Sequence, residues 1–423
     1  GTRQAVFSIA DAEVRPGRRA KLEIPIANLM SGTPVSLPVL VLHGTHPGPA
    51  MWLTAAIHGD ELCGIEIIRR VLVEVDPRHM AGTIVAVPVA NVHGFNTGDR
   101  YLPDRRDLNR SFPGSRRGSL ASRIARLLMT EVVDRCSIGV DLHTGSDQRE
   151  NLPQIRADLD DTPTRELAEV FGAPIAIHSR VRDGSLRQAA TDAGSTVLLY
   201  EGGEAGRYSE TPIRVGVAGV LRVLHHLDML HGEAPPPTGG VIATRSAWVR
   251  ASRSGVAILE TDLGDIVAEG DVIAQIHDPF GKRLGIVKSP GTGMIIGRTQ
   301  SPLVNRGDAM VHIAFSPTEA RVFHLVDPKP PSLTKMTAIF LEAVGGPGLG
   351  PSVDLRKVPG LKKTAGITSM LPSLRELGDA VLSDFGIPEG SLGAMNVKAR
   401  WDDRNTQAAL AGSGVSCPPL KSY

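Results

Sequence analysis

Between residues 38 and 232 the chain alternates short apolar runs with longer amphipathic ones. "PVLVLHG", "MWLTAAIHG", "TIVAVPVAN", "IGVDLHTG", "PIAIHS" and "TVLLYEGG" have the length and bounding turns of buried strands. Between several of them lie helical patterns, "DELCGIEIIRRVLVEV" and "SLASRIARLLMTEVVDR". In the second, Leu120, Ile124, Leu127, Leu128 and Val132 form one stripe. Such alternation predicts an α/β core with a largely parallel or mixed sheet and helices on its faces. The helix in "RVGVAGVLRVLHHLDML" closes a first domain at 1–232, with an N-terminal extension at 1–37. "HGEAPPPTGG" then reads as a linker, 233–240.

The period changes at 241–315, where glycines punctuate short β-branched runs. "GDIVAEGDVIAQI" at 264–276 echoes "SPLVNRGDAMVHI" at 301–313, with Val267, Gly270, Asp271 and Ile276 recurring as Val304, Gly307, Asp308 and Ile313. Two similar β units facing each other predict a small all-β sandwich. The pattern resembles the barrel-sandwich modules of biotinyl and lipoyl carriers. From 316 to 423 the chain is rich in Pro and Gly and only "PSLRELGDAVLSDFG" predicts a helix, which marks a C-terminal extension of unassigned role.

Composition narrows the classes. The 423 residues allow two or three domains, and 41% apolar with 22% charged residues is the balance of a globular protein. With 46 basic against 45 acidic residues there is no global attraction to nucleic acid or anionic membrane. Aromatics at 4% argue against a base-stacking surface. No apolar run reaches the roughly 18 residues of a bilayer span, and the N-terminus lacks a signal-peptide pattern. The three cysteines, Cys63, Cys136 and Cys417, are scattered and odd in number, which fits a reducing, cytoplasmic setting.

Chemistry enters where apolar runs stop. The strand expected at 51–57 ends in His58, Gly59, Asp60 and Glu61, and a helix follows; strand-to-helix junctions are frequent ligand addresses in α/β proteins. A helix starting at Gly59 or Asp60 puts Glu61 in its first turn, where a carboxylate also suits the helix dipole. "SIGVDLHTG" repeats the device, ending in His143 with Asp141 two residues before it. Neighbouring strands end at one edge, so two imidazoles and a carboxylate converge as a zinc site with an open position for water. Asp141 then orients an imidazole from behind; the competing reading of each residue is a polar strand end. In "DLNRSFPG", Asn109 and Arg110 are adjacent fixed-geometry donors suited to a carboxylate. Arg100 is placed to assist them or to polarise a carbonyl. A third strand, "VLLYEGGEAG", ends in Glu201, a candidate general base and acid, with Glu204 as its competitor.

Taken in order, "HGDE", "DLNRSFPG", "DLHTG" and the strand-terminal glutamate resemble the succinylglutamate desuccinylase and aspartoacylase family, a branch of the zinc carboxypeptidase superfamily. The resemblance covers roughly 38–315. It implies a three-layer α/β/α zinc-exopeptidase core and one zinc ion per chain on His58, Glu61 and His143. It further implies Asn109 and Arg110 on a substrate carboxylate, an assisting Arg100, and Glu201 as general acid/base. The implied reaction is hydrolysis of a small N-acyl amino acid, with no nucleic-acid or membrane partner; a homo-oligomer is compatible with it. The rival readings are a zinc carboxypeptidase acting on short peptides, a non-enzymatic binding or scaffold protein, and a carrier modified at Lys282. A second metal site in "HHLDMLHGE" (His225, His226, His231, Glu233) and cleft roles for His93 and His178 rank below structural roles. "GGPGLG" has neither the strand nor the helix of a dinucleotide loop, and neither a Walker loop nor a G-x-S-x-G elbow is present.

Overall fold

The structure, a computed structural model, describes residues 4–315 except 147, 180, 181, 237 and 238. The C-terminal extension, with its expected helix and Cys417, lies outside the described residues. A hairpin of β1 (Phe7–Ile9) and β2 (Ala12–Val14) leads into β3 (Arg18–Asn28), β4 (Pro34–His43) and β5 (His46–Ala55). Next come α1 (Cys63–Glu74), β6 (Ala81–Val87), the short α2 (Val92–Thr97), α3 (Leu120–Glu131), β7 (Ile138–Gly145) and β8 (Arg149–Ala157). They are followed by α4 (Thr162–Phe171), β9 (Ile175–His178), α5 (Leu186–Asp192), β10 (Thr196–Glu204) and α6 (Glu210–His226).

The central sheet runs β3-β4-β6-β5-β7-β10-β8. β6, β5, β7 and β10 are parallel, while β4 and β8 run antiparallel to their neighbours, so the sheet is mixed. Alternation along each strand feeds two cores. Met51, Leu53 and Ala55 of β5 pack with Ile67 and Val71 of α1, Leu167 of α4 and Val220 of α6. Trp52 between them, with Val85 and Val87 of β6, packs with Ile124 and Leu128 of α3, Leu186 of α5 and Ile9 of the hairpin. Each fully buried Leu or Ile stabilises by about 1.5–3 kcal/mol relative to exposure. All four central parallel strands point their C-terminal ends the same way, which brings the tips of β5, β7 and β10 together.

The later strands are β11 (Val241–Ala243), β12 (Arg245–Arg250), β13 (Gly255–Leu259), β14 (Ile266–Val267), β15 (Val272–His277), β16 (Arg283–Lys288), β17 (Gly293–Thr299), β18 (Leu303–Val304) and β19 (Ala309–Phe315). A four-stranded sheet, β16-β15-β13-β18, faces β12-β19-β17-β14 across Val267, Ile276, Ile295, Val304 and Ile313. The repeated residues are structurally matched. Val267 and Val304 are both buried, as are Ile276 and Ile313, and Gly270 and Gly307 both take positive φ (87° and 95°). The core sheet continues into this region, because β11 pairs with β9 and β17 pairs with β8 through Gly297 opposite Asn151. Among the described residues no helix is long and apolar enough to cross a membrane.

Candidate metal centre

β5 delivers the chain to Ala56, which takes the left-handed conformation (φ 48°) two residues before His58. A side-chain-bearing residue there stores on the order of 1 kcal/mol, a cost found mainly at functional sites. Gly59 then packs against α2 so closely that a Cβ would lie 2.0 Å from the Gly94 carbonyl carbon. The junction pattern predicts Glu61 inside the first turn of α1. The helix instead starts at Cys63, with Leu62 as an N-cap that makes no side-chain bond. Glu61 is drawn out of the helix by its partners. Its Oε1 meets His58 Nδ1 at 2.7 Å, and its Oε2 meets His143 Nδ1 at 2.8 Å and accepts the Thr144 N–H at 3.1 Å.

Both imidazoles therefore turn Nδ1 to one point and Nε2 to a carboxylate behind them. His143 Nε2 donates to Asp141 Oδ2 at 2.9 Å, and Asp141 Oδ1 accepts the Thr54 hydroxyl at 2.7 Å. His58 Nε2 donates to Asp107 Oδ1 at 3.2 Å. Asp107 is the first residue of the "DLNRSFPG" motif. It caps the 3-10 turn Leu108–Arg110, accepting the Asn109 N–H at 2.8 Å, and takes Arg100 Nη2 at 3.0 Å. Arg100 is further fixed on the Ser146 hydroxyl at 2.6 Å, and its backbone carbonyl accepts the Asn91 amide at 3.3 Å.

Charge in this cluster favours a cation. Burial pushes the Glu61 carboxyl up, but the His58 and His143 charges overcome it and hold it well below the usual carboxylate range. Burial alone lowers both histidines; Asp141 and Glu61 raise His143 well above its ordinary value, and Glu61 with Asp107 raises His58. Asp107, lifted by burial, is brought down by the His58 hydrogen bond and charge and by Arg100. A buried donor set of two nitrogens and a carboxylate, each imidazole oriented by an acid, fits a zinc ion. The ligand atoms of His58, Glu61 and His143 lie within 4.8 Å of one another. Among the described residues the other such grouping is Asp158, Asp160 and His178, largely exposed; the histidines at 225, 226 and 231 form none.

His58, Glu61 and His143 open on a cavity of about 230 Å³ that also receives Arg100, Asn109, Arg110 and Glu201. Neither His93 nor His178 lines it. Asn109 is held by its Oδ1, which accepts the Leu186 N–H at 2.8 Å, while Arg110 folds back on the Asn109 carbonyl. Glu201 Oε2 accepts the Asn151 amide at 2.7 Å and lies 3.4 Å from Arg156 Nε. Glu204 pairs with Arg207 at 2.8 Å and does not line the cavity. Sequence reasoning missed Asn151, Arg156, Arg187 and Trp248, all of which do. Arg187 left one usable sign, a charge on the buried face of α5. Its guanidinium is pushed down to about 10 by burial, with Arg156 adding to the effect.

The sequence model of the succinylglutamate desuccinylase/aspartoacylase catalytic domain matches residues 47–227, the span that holds every proposed ligand. An N-alpha-acetyl-L-2,4-diaminobutyric acid deacetylase from Halomonas elongata is 28% identical over 324 residues, covering 73% of this chain and 94% of that protein. The product-bound ectoine utilization protein EutE (DoeB) from Ruegeria pomeroyi is 26% identical with a TM-score of 0.64, over 70% of this chain and 94% of that one. A succinylglutamate desuccinylase/aspartoacylase from Rhodobacter sphaeroides, also 26% identical, superposes with a TM-score of 0.65 over 74% of this chain and 99% of its own. The match over residues 47–227 and these similarities support the resemblance to the succinylglutamate desuccinylase/aspartoacylase family.

Proposed function

We propose that the protein is a zinc-dependent amidohydrolase that deacylates a small N-acyl amino acid, releasing a carboxylic acid and a free amino acid. The observation that carries this reading is the convergence of His58 Nδ1, His143 Nδ1 and the Glu61 carboxylate at the wall of a cavity that also contains Glu201. His58, Glu61 and His143 would hold a zinc ion, which when bound would supply a water-derived nucleophile at neutral pH. Glu201, steadied by Asn151 and Arg156, accepts the proton given up during attack and passes it to the departing nitrogen. Arg100, fixed by Asp107 and Ser146, stabilises charge on the acyl oxygen. Asn109 and Arg110 hold the substrate carboxylate.

The cavity wall carries six arginines (100, 110, 149, 156, 182 and 187) against two glutamates, 61 and 201. That balance favours substrates whose groups beyond the scissile amide are neutral or anionic. It disfavours the side-chain ammonium of a diaminobutyrate derivative, the substrate named for the Halomonas relative. A volume near 230 Å³ supports a small amide over a peptide. The test is zinc content of the purified protein together with a screen of N-acyl amino acids for released amine. About one zinc per chain with hydrolysis of an anionic N-acyl amino acid is expected. Absence of zinc after reconstitution would sink the reading.

A further inference from the structure

Among the side chains lining the cavity, Leu199 and Trp248 are the apolar ones. Leu199 sits on β10 two residues before Glu201, on the same face of the strand. Trp248 comes from the second β region, on β12. It lies directly opposite His312 of β19, and the two rings stack with centroids 4.5 Å apart and planes 12° from parallel. The Arg149 guanidinium stands 5.2 Å from the indole centre. Space for this stack is left by Gly297, where a Cβ would lie 3.2 Å from His312 Cβ and 3.5 Å from Trp248 Cη2.

His312 is buried, and burial together with the charges of Arg156, Arg149 and Arg182 pushes its pKa down to about 3. The imidazole is therefore neutral at physiological pH. Its Nδ1 makes no hydrogen bond, and its flat face packs on the indole. A ring backed in this way has little freedom to rotate, and it adds a rigid carbon surface, flanked by Arg149, to an otherwise polar, arginine-rich cavity. Such a surface suits the part of a substrate that neither the arginines nor the proposed metal-binding residues can hold.

We infer that Trp248 is a specificity-determining residue whose indole, braced by His312, packs against the non-reacting hydrocarbon portion of the N-acyl amino acid. The second β region thereby selects the substrate whose chemistry the first region performs. This rests on the deacylase reading above. One methylene more or less against such a wall shifts kcat/KM by roughly 10-fold or more.

The test uses the full chain carrying Trp248→Phe and Trp248→Ala, with two substrate series. One varies the amino-acid side chain under a constant acyl group, and the other varies the acyl chain on a constant amino acid. In one series the ratio of kcat/KM between its longest and shortest members should change by about tenfold in the alanine variant, with the phenylalanine variant between. An equal fall across both series, or unchanged ratios, overturns the inference. Quenching of tryptophan emission by N-acetyl amino acids gives a readout independent of turnover. If the wild type hydrolyses nothing but Trp248→Phe abolishes that quenching, the deacylase reading falls and the role of Trp248 stands. If it hydrolyses nothing and the quenching is absent or unaltered, both fall.

Discussion

Replacing Asp141 by Asn should perturb the proposed metal centre while leaving all three proposed ligands in place. Asp141 is fully buried on β7, with Oδ1 on the Thr54 hydroxyl at 2.7 Å and Oδ2 on His143 Nε2 at 2.9 Å. An asparagine that keeps the Thr54 bond with its carbonyl turns its NH2 toward Nε2–H, donor against donor. His143 must then rotate or move its proton to Nδ1, the nitrogen facing Glu61, and either change spoils the ligand. Losses of this kind cost about 10–100-fold in metal affinity, or about 1.4–2.8 kcal/mol. Asp107→Asn should cost less. Its contact with His58 is longer, 3.2 Å, and the same carboxylate is shared with Arg100 and the Asn109 N–H. Competition with a chromophoric chelator at fixed pH measures the zinc Kd, and circular dichroism with a thermal melt of each metal-free protein confirms the fold. Affinity should rank wild type, Asp107→Asn, Asp141→Asn. Equal affinities in three folded proteins would refute the argument that the acids behind Nε2 prepare the imidazoles.

Glu201→Gln should lower kcat by about 10²–10⁴ with zinc affinity unchanged; a variant keeping more than about a tenth of the activity moves the proton-transfer role elsewhere. Gly297→Ala places a Cβ 2.9 Å from Asn151 Oδ1 and must displace the amide that holds Glu201. Steady-state kinetics should show kcat falling more than KM rises, and wild-type kinetics would count against the coupling. Zinc at a hundredfold excess over its Kd should add about 2.7 kcal/mol to stability, seen as a melting temperature that climbs with zinc concentration; a flat response would disprove specific binding. His312 has a folded pKa near 3 against an ordinary 6.5, so below about pH 6.5 the unfolded chain takes up a proton that the folded one lacks. Stability is therefore lost as pH falls through that window, by about 1.4 kcal/mol per unit. His312→Phe should remove that part of the acid sensitivity in urea melts at about pH 7.5 and pH 5.5, and identical pH slopes would refute it.

The parallel centre of the fold was legible because its strands are buried on both faces. β5, β6, β7 and β10 read as unbroken apolar runs, and α3 shows its stripe without competition from function. β3 and β8 were not legible, for opposite reasons. β3 is an edge strand whose burial alternates weakly, so "RRAKLEIPIAN" resembles an exposed segment of an N-terminal extension. β8, "RENLPQIRA", lies inside the sheet but carries Asn151, Gln154 and Arg156 toward the interior. Asn151 and Arg156 line the cavity and Gln154 donates to the Ile296 carbonyl, and these polar residues erase the periodicity that would reveal the strand.

The same logic governs the site. His58, Glu61, His143 and Glu201 sit where apolar strands break off, so each announces itself in one dimension, and the geometry gathers all four around one cavity. Asp107 sits in a loop dense with other charges, and its value lies in reaching His58 across 49 residues of sequence. Trp248 and Gly297 carry no local signal at all. Their positions follow from β17 pairing with β8, where Gly297 faces Asn151, and from β12 pairing with β19, where Trp248 faces His312, contacts between residues far apart in sequence. A residue that supplies a nucleophile or a ligand must be chemically unusual for its place in a strand, and sequence reading finds it. A residue that shapes the cavity need only be an ordinary indole or a missing side chain at the right point of the sheet. The proposed chemistry of this chain is therefore written locally, while the proposed selection of its substrate is written in strand register.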